Sequence, residues 1–204
     1  MDNQIFYRRR LPHYQPPGAT LFVTFRLAGS IPQAVIQQLL EESKAKEAEI
    51  IKQCEQSARR EAVNAARKML FAKWDKVLDS GQQSPHWLAD PAIANLVCEA
   101  MHYLHQRKYD LEAYCVMPNH VHLVFTPLLN GDDYYSLASI LKSLKGFTAR
   151  KANEILGREG EFWQPESYDH VVRDEQEFER IINYVLSNPE RAGLPPEYVY
   201  RRIL

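Results

Sequence analysis

The segment HVHLVFTP at residues 120–127 holds two histidines in a run that is otherwise almost wholly apolar. A strand with one wet face alternates apolar and polar residues, whereas a continuous apolar run reads as a central strand covered on both faces. This one segment therefore calls for a sheet with material packed on either side of it. The preceding YDLEAYCV reads as its partner strand, and Met117-Pro118-Asn119 joins the two over residues 109–127.

The rest of the chain supplies the covering layers. GATLFVTFRLAG (18–29) reads as a strand bounded by glycines, with Thr20, Phe22, Thr24 and Arg26 on one face and Leu21, Val23, Phe25 and Leu27 on the other. IPQAVIQQLLEE follows with apolar residues at helical spacing. Residues 41–79 contain neither Gly nor Pro, are rich in Glu, Lys, Arg and Ala, and read as a long helix or helical hairpin. SGQQSPHW (80–87) is a loop. Residues 90–108 form a helix capped by Asp90 with Pro91 in its first turn. Residues 136–157 form an amphipathic helix whose lysines lie off the apolar stripe. GEFWQPESYDHVVRDE crosses a loop into a short strand at about 169–173. Residues 174–194 contain the last helix, opened by a capping box of Asp174 and Glu177 and ended at Asn188-Pro189.

Strands and helices thus alternate around a hairpin. That order predicts an α+β fold, a ferredoxin-like antiparallel sheet with helices packed on it. It also predicts a single domain over residues 1–204 with a charged helical insertion at about 41–79. At 204 residues and 45% hydrophobic content the chain can bury a core of that size. No apolar run approaches the roughly 18 residues of a membrane helix. The basic N-terminus lacks the apolar stretch of a secretory signal. Cys54, Cys98 and Cys115 are odd in number and widely spaced, which suits a reducing cytoplasm better than a disulfide framework.

A net charge of −1 argues against broad nonspecific binding to nucleic acid. The cations are clustered, however: Arg8, Arg9 and Arg10; Lys142, Lys145, Arg150 and Lys151; and Arg201 with Arg202. A DNA-binding surface would have to be local, and solvated surface charge is the plainer account of each cluster.

Two constellations carry chemistry. His120 and His122 are two apart on a strand, so both imidazoles point to one face and come close enough to share a divalent ion. Hydrogen bonds to neighbours would satisfy the same rings equally well. On the last helix Phe178, Ile181, Ile182, Val185 and Leu186 define a core stripe. Tyr184 lies roughly 130° and Asn188 roughly 90° from its centre, on the same flank and one turn apart. A boundary tyrosine beside a helix-end asparagine has the same pattern. A tyrosine can also attack phosphorus and store the bond energy as a phosphotyrosine. No other Asp/Glu cluster suits a two-metal nuclease.

Taken together, YCVMPNHVHLVF (114–125), FWQPESYDHVVRDE (162–175) and INYVLSNPERAGL (182–194) resemble the REP-associated tyrosine transposases. These are a bacterial group within the single-tyrosine transposases of the His-hydrophobic-His (HUH) endonuclease superfamily. The resemblance covers most of the chain except 41–79, a stretch that the smallest family members lack. It implies that His120 and His122 are paired metal ligands, that Asn188 is a third ligand through its amide oxygen, and that Tyr184 is the nucleophile, with Mg²⁺ or Mn²⁺ as the ion. Tyr168 is the rival nucleophile, and His170 is either a supporting or DNA-contacting residue or a structural histidine. The implied substrates are single-stranded DNA hairpins formed by palindromic repeats. Lys142, Lys145, Arg150, Lys151 and Arg8–Arg10 are candidate phosphate contacts. The implied setting is the bacterial cytoplasm at the nucleoid, with the protein a monomer or a homodimer and no membrane partner. A binding protein that kept the fold and lost the chemistry, and the transposase of an active mobile element, are the competing readings. A histidine-triad phosphohydrolase would need a third histidine at position 124, where the chain has Val124.

Overall fold

A computed structural model of the chain describes residues 6–8, 12–14, 16–80, 84–195 and 201–203. In chain order the elements are β1 (Phe6–Arg8), β2 (Pro12–Tyr14), β3 (Leu21–Leu27), α1 (Gln33–Gln53), α2 (Gln56–Ser80), a 3₁₀ turn (Trp87–Ala89) and α3 (Pro91–Leu104). They continue with β4 (Tyr109–Val116), β5 (His120–Pro127), β6 (Leu129–Asn130), β7 (Asp133–Tyr134), α4 (Leu137–Leu156), β8 (Trp163–Val171), α5 (Glu175–Arg191) and β9 (Arg201–Ile203). The chain divides into two compact units, Met1–Ala28 with Pro85–Leu204, and Gly29–Ser84.

The larger unit is built on a five-stranded sheet of order β8-β3-β5-β4-β9. Every neighbouring pair runs antiparallel. The four strands β3, β4, β5 and β8, with crossovers through α3 and α4, have the ferredoxin-like order predicted from the sequence. β5 is central, as its apolar run requires, and β3 is buried along its whole length. One face of the sheet packs under α3 and α4. There Leu21, Val23, Phe25 and Leu27 of β3 join Val121, Leu123 and Phe125 of β5, Ile93, Val97 and Met101 of α3, and Ile140 and Leu144 of α4. Trp163 meets Phe25 edge to face at 4.9 Å and donates through Nε1 to Thr148 Oγ1 at 2.9 Å, so its polar end is satisfied inside the core. Asp90 caps α3 by accepting from the Ala92 amide, and Gly157 closes α4 in the left-handed conformation.

Several elements differ from the sequence reading. The WQ segment is strand from Trp163 onward, not loop, so Tyr168 sits in the sheet. Pro165 has no N–H to give the ladder, and it is tolerated because β8 is an edge strand whose register with β3 shifts between Phe25 and Leu27. The last helix runs through Pro189 to Arg191, since a proline in the final turn forfeits one backbone bond and the carbonyls of Asn188 and Pro189 still accept from Ala192 and Leu194. β1, β2 and β9 were not anticipated, because strands of three residues are too short to show a period.

The smaller unit, Gly29–Ser84, is a helical hairpin of α1 and α2. The helix expected after the first strand and the first part of the 41–79 stretch form one continuous helix, and the break falls at Cys54–Glu55. Its small core gathers Ile31, Ile36 and Leu78 with Val35, Leu40, Trp74 and Val77. The Lys73–Glu42 pair at 2.6 Å links the two helices at an exposed position, where solvent screening leaves such a pair little weight. No described helix is long and apolar enough to cross a membrane.

Candidate active site

The site lies on the sheet face opposite α3 and α4. On that face the register aligns Tyr168 of β8, Thr24 of β3, His122 of β5 and Cys115 of β4 in one row. The next rows hold His170, Phe22 and Val124, and Arg26 beside His120. His120 and His122 are fully buried. Their Nε2 atoms face each other at 3.0 Å.

The outer nitrogens show why the rings stand this way. His120 Nδ1 lies 2.6 Å from Asn119 Oδ1, which as an amide oxygen only accepts, so Nδ1–H donates and Nε2 carries the lone pair. His122 Nδ1 lies 2.8 Å from Thr24 Oγ1. The threonine hydroxyl both donates and accepts, so two arrangements are open. In one, Thr24 donates, and His122 Nε2–H bonds His120 Nε2. In the other, Thr24 accepts, both Nε2 lone pairs point at the same spot, and only a cation between them relieves their repulsion. Burial, and secondly the charge of Arg191, push the pKa of His122 down to about 3, so the ring is neutral at physiological pH as a metal ligand must be. The 3.0 Å separation leaves both Nε2 atoms within reach of one shared ion.

Helix α5 brings the tyrosine to this pair. Its N-terminus is fixed by Asp174, which accepts from the Glu177 amide at 2.7 Å. The buried Glu177 carboxylate accepts from the Arg173 amide at 3.1 Å, and its other oxygen lies 3.2 Å from His170 Nε2. The capping box thus engages the residue before the cap and ties β8 to α5. The Tyr184 ring stands 5.5 Å from that of His122, and the two planes are inclined at 70°. Phe22 brackets them, stacked on His122 at 5.7 Å and edge-on to Tyr184 at 6.0 Å. Tyr168 meets the same phenylalanine at 6.3 Å, so both candidate nucleophiles border one aromatic group. Asn188, placed by helical spacing on the flank of the stripe, is in fact buried, and its Oδ1 has no hydrogen-bond partner among the described residues. A buried amide oxygen without a donor fits a metal ligand better than a structural asparagine.

The structure separates the α4 cations from this face. Lys142 and Arg150 are exposed on α4, beyond the core on the other side of the sheet. Lys145 donates to the Gln164 carbonyl at 2.5 Å and the Pro165 carbonyl at 3.1 Å, which ties α4 to the start of β8. Lys151 pairs with Glu154 at 2.7 Å. Arg8 lies in β1, while Arg9 and Arg10 fall outside the described residues. Several residues at the site, Phe22 among them, had no role in the sequence reading. Thr24 and Arg26 were placed on one face of their strand, but nothing tied that face to the histidines. Asn119 and Arg191 are neighbours of motif residues and carry no period of their own. Burial lowers the Arg26 pKa to about 10, which leaves it charged at neutral pH.

Comparison with known proteins bears on the same residues. A protein of Haemophilus influenzae named for the REP-associated tyrosine transposases is 27% identical over 93 residues, covering 42% of this chain and 52% of that protein. The REP-associated tyrosine transposase of Escherichia coli is 28% identical over 87 residues, covering 43% and 48%. The match therefore spans about half the length of these curated relatives. A solved structure of a REP-associated tyrosine transposase bound to a REP hairpin aligns with a TM-score of 0.47 and 17% identity, over 93% of this chain and 74% of that one. The family model described as "Transposase IS200 like" matches residues 87–188, half of the chain, a span that begins at the 3₁₀ turn before α3 and closes on Asn188. The strand with both histidines and the helix with Tyr184 fall inside that match, and the chain belongs to the IS200-like transposase family.

Proposed function

We propose that the protein is a metal-dependent endonuclease and strand transferase for single-stranded DNA, and that it cleaves hairpin-forming palindromic repeats through a 5′-phosphotyrosine. The observation that carries this reading is the Tyr184 ring lying against His122 while the Nε2 atoms of His120 and His122 converge in a buried layer. His120, His122 and Asn188 would hold Mg²⁺ or Mn²⁺, which when bound supplies a Lewis acid for the scissile phosphate. The choice of repeat hairpins as substrate follows the resemblance in sequence to the REP-associated tyrosine transposases, the group for which two curated relatives are named.

The chain's own residues account for the remaining steps. Phe22 holds the Tyr184 ring beside the histidines, so attacker and phosphate meet at a fixed angle. Tyr184 Oη forms a bond to phosphorus as the bond from phosphorus to the 3′ oxygen breaks. The phenolic proton leaves to solvent and the departing oxygen takes one up. The products are a 5′-phosphotyrosine and a free 3′-hydroxyl. Because the phosphotyrosine retains the bond energy, a 3′-hydroxyl reverses the step without ATP. With Thr24 accepting from His122 Nδ1–H, as Asn119 accepts from His120 Nδ1–H, both imidazoles would present Nε2.

The test is a covalent adduct on a denaturing gel, with labelled single-stranded hairpins copied from palindromes near the gene and with Mn²⁺ or Mg²⁺. An adduct lost with Tyr184→Phe and kept with Tyr168→Phe is the expected result. Loss only with Tyr168→Phe would move the nucleophile to β8 and retain the reaction class. Tight hairpin binding with no adduct would replace this reading by that of a non-catalytic binding protein.

A further inference from the structure

Arg191 ends α5, seven residues after Tyr184 and three after Asn188, so the three share one flank of the helix. Its guanidinium carbon lies 5.0 Å from the centre of the Tyr184 ring. Among the described residues neither a carboxylate nor a hydrogen bond engages this guanidinium. A helix-end arginine with no further task would turn into solvent or onto the last carbonyls of its helix. This one is held over the ring of the proposed nucleophile. It also falls three residues beyond the span matched by the transposase family.

The reaction proposed above creates a demand for such a group. The scissile phosphodiester carries one negative charge, and a second develops on its non-bridging oxygens as the phenolic oxygen attacks. A bound divalent ion would meet part of this charge, and the neutral histidines and asparagine that would hold it add none of their own. A guanidinium presents a planar fork that matches two oxygens of a phosphate, and it cannot lose its charge at working pH.

We propose that Arg191 is a further catalytic residue, which binds a non-bridging oxygen of the scissile phosphate and stabilises the charge that develops during attack by Tyr184. The assignment rests on the tyrosine-transfer reading. Arg191 forms and breaks no covalent bond. It makes one contact that strengthens as the charge grows, so its loss falls on the chemical step more than on DNA binding.

The experiment measures single-turnover adduct formation and, separately, hairpin affinity without metal, for the wild-type chain and for Arg191→Ala and Arg191→Lys. The expected result is a loss of about 100- to 1,000-fold in adduct rate for Arg191→Ala, the scale of removing one charge-stabilising donor. Affinity should change by no more than about threefold, as for one phosphate contact among several. Arg191→Lys should fall between the two, because it keeps the charge and loses the fork. Guanidinium ion at millimolar concentration should restore part of the Arg191→Ala rate, while urea, neutral and of similar shape, should not. Rescue by urea to the same extent, equal losses in affinity and rate, or an unimpaired Arg191→Ala would each overturn the assignment. Those outcomes leave an active wild type and so leave the tyrosine reading standing. A wild-type chain that forms no adduct would overturn that reading and this assignment with it.

Discussion

The two faces of β3 and β5 are built from alternate residues of the same two strands and are almost equally closed to water. One carries Leu21, Val23, Phe25, Leu27, Val121, Leu123 and Phe125 and meets α3 and α4. The other carries Phe22, Thr24, Arg26, His120 and His122, with Tyr184 of α5 beside His122. On the first face burial stabilises, at roughly 25 cal/mol for each Å² of apolar surface removed from water. On the second, burial costs free energy unless each polar atom finds a partner. A hydroxyl, two imidazoles, a guanidinium and an amide in one buried layer add little to stability. They make sense as groups held in fixed geometry for a ligand. The sheet thus separates what keeps it folded from what it acts with, one pleat apart.

That comparison can be broken from either side. The largest effect should come from Tyr184→Phe, which removes one oxygen at the edge of the polar face. Adduct formation should fall at least about 1,000-fold, more than 4 kcal/mol of barrier, with a melting temperature close to wild type. Phe125→Ala should do the reverse. On the apolar face it should lose about 3–5 kcal/mol in urea unfolding, while the protein that stays folded keeps its adduct rate. Comparable stability losses from both variants would sink the division of labour.

Metal should stabilise only through the polar face. At one hundred times its dissociation constant, Mn²⁺ should add about 2.7 kcal/mol to wild-type stability, read as a shift in the melting curve. The double variant His120→Leu/His122→Leu should show no such shift. Its metal-free stability should stay within about 1.5 kcal/mol of wild type, because both members of the facing pair are replaced together. Thr24→Val keeps the shape and deletes the hydroxyl opposite His122 Nδ1. It should weaken Mn²⁺ about 10- to 100-fold by titration calorimetry, and an unchanged affinity would show that Thr24 does not set the tautomer. The smallest effect should be that of Lys151→Ala on the outer side of α4, within about 0.5 kcal/mol in stability, since its partner Glu154 is half exposed too.

Several parts of the architecture were legible because they depend on local periods. The central position of β5 follows from an unbroken apolar run, and the cap of α5 from Asp174 three residues before Glu177. β8 was misread over 163–168 because Pro165 signals a loop locally, and only its place at the sheet edge makes that proline harmless. The burial of Asn188 was missed for a related reason. A helical wheel places it on the flank of the stripe, but how much of a flank is covered depends on what the helix lies against.

The sequence by itself determined that His120 and His122 face the same way, because side chains alternate along a strand. It likewise determined that Tyr184 and Asn188 share a flank, because a helix turns every 3.6 residues, whereas the structure carried the helix through Pro189 to Arg191. The tertiary structure alone decided that Thr24, 98 residues away, meets His122, that Phe22 brackets the tyrosine, and that Tyr168 stands across the same row. The reason is register. A slip of one residue between β3 and β5 would turn Val23 toward the histidines in place of Thr24. What forbids that slip is the packing of the opposite face under α3 and α4, a property of the whole fold that neither strand carries in its own residues.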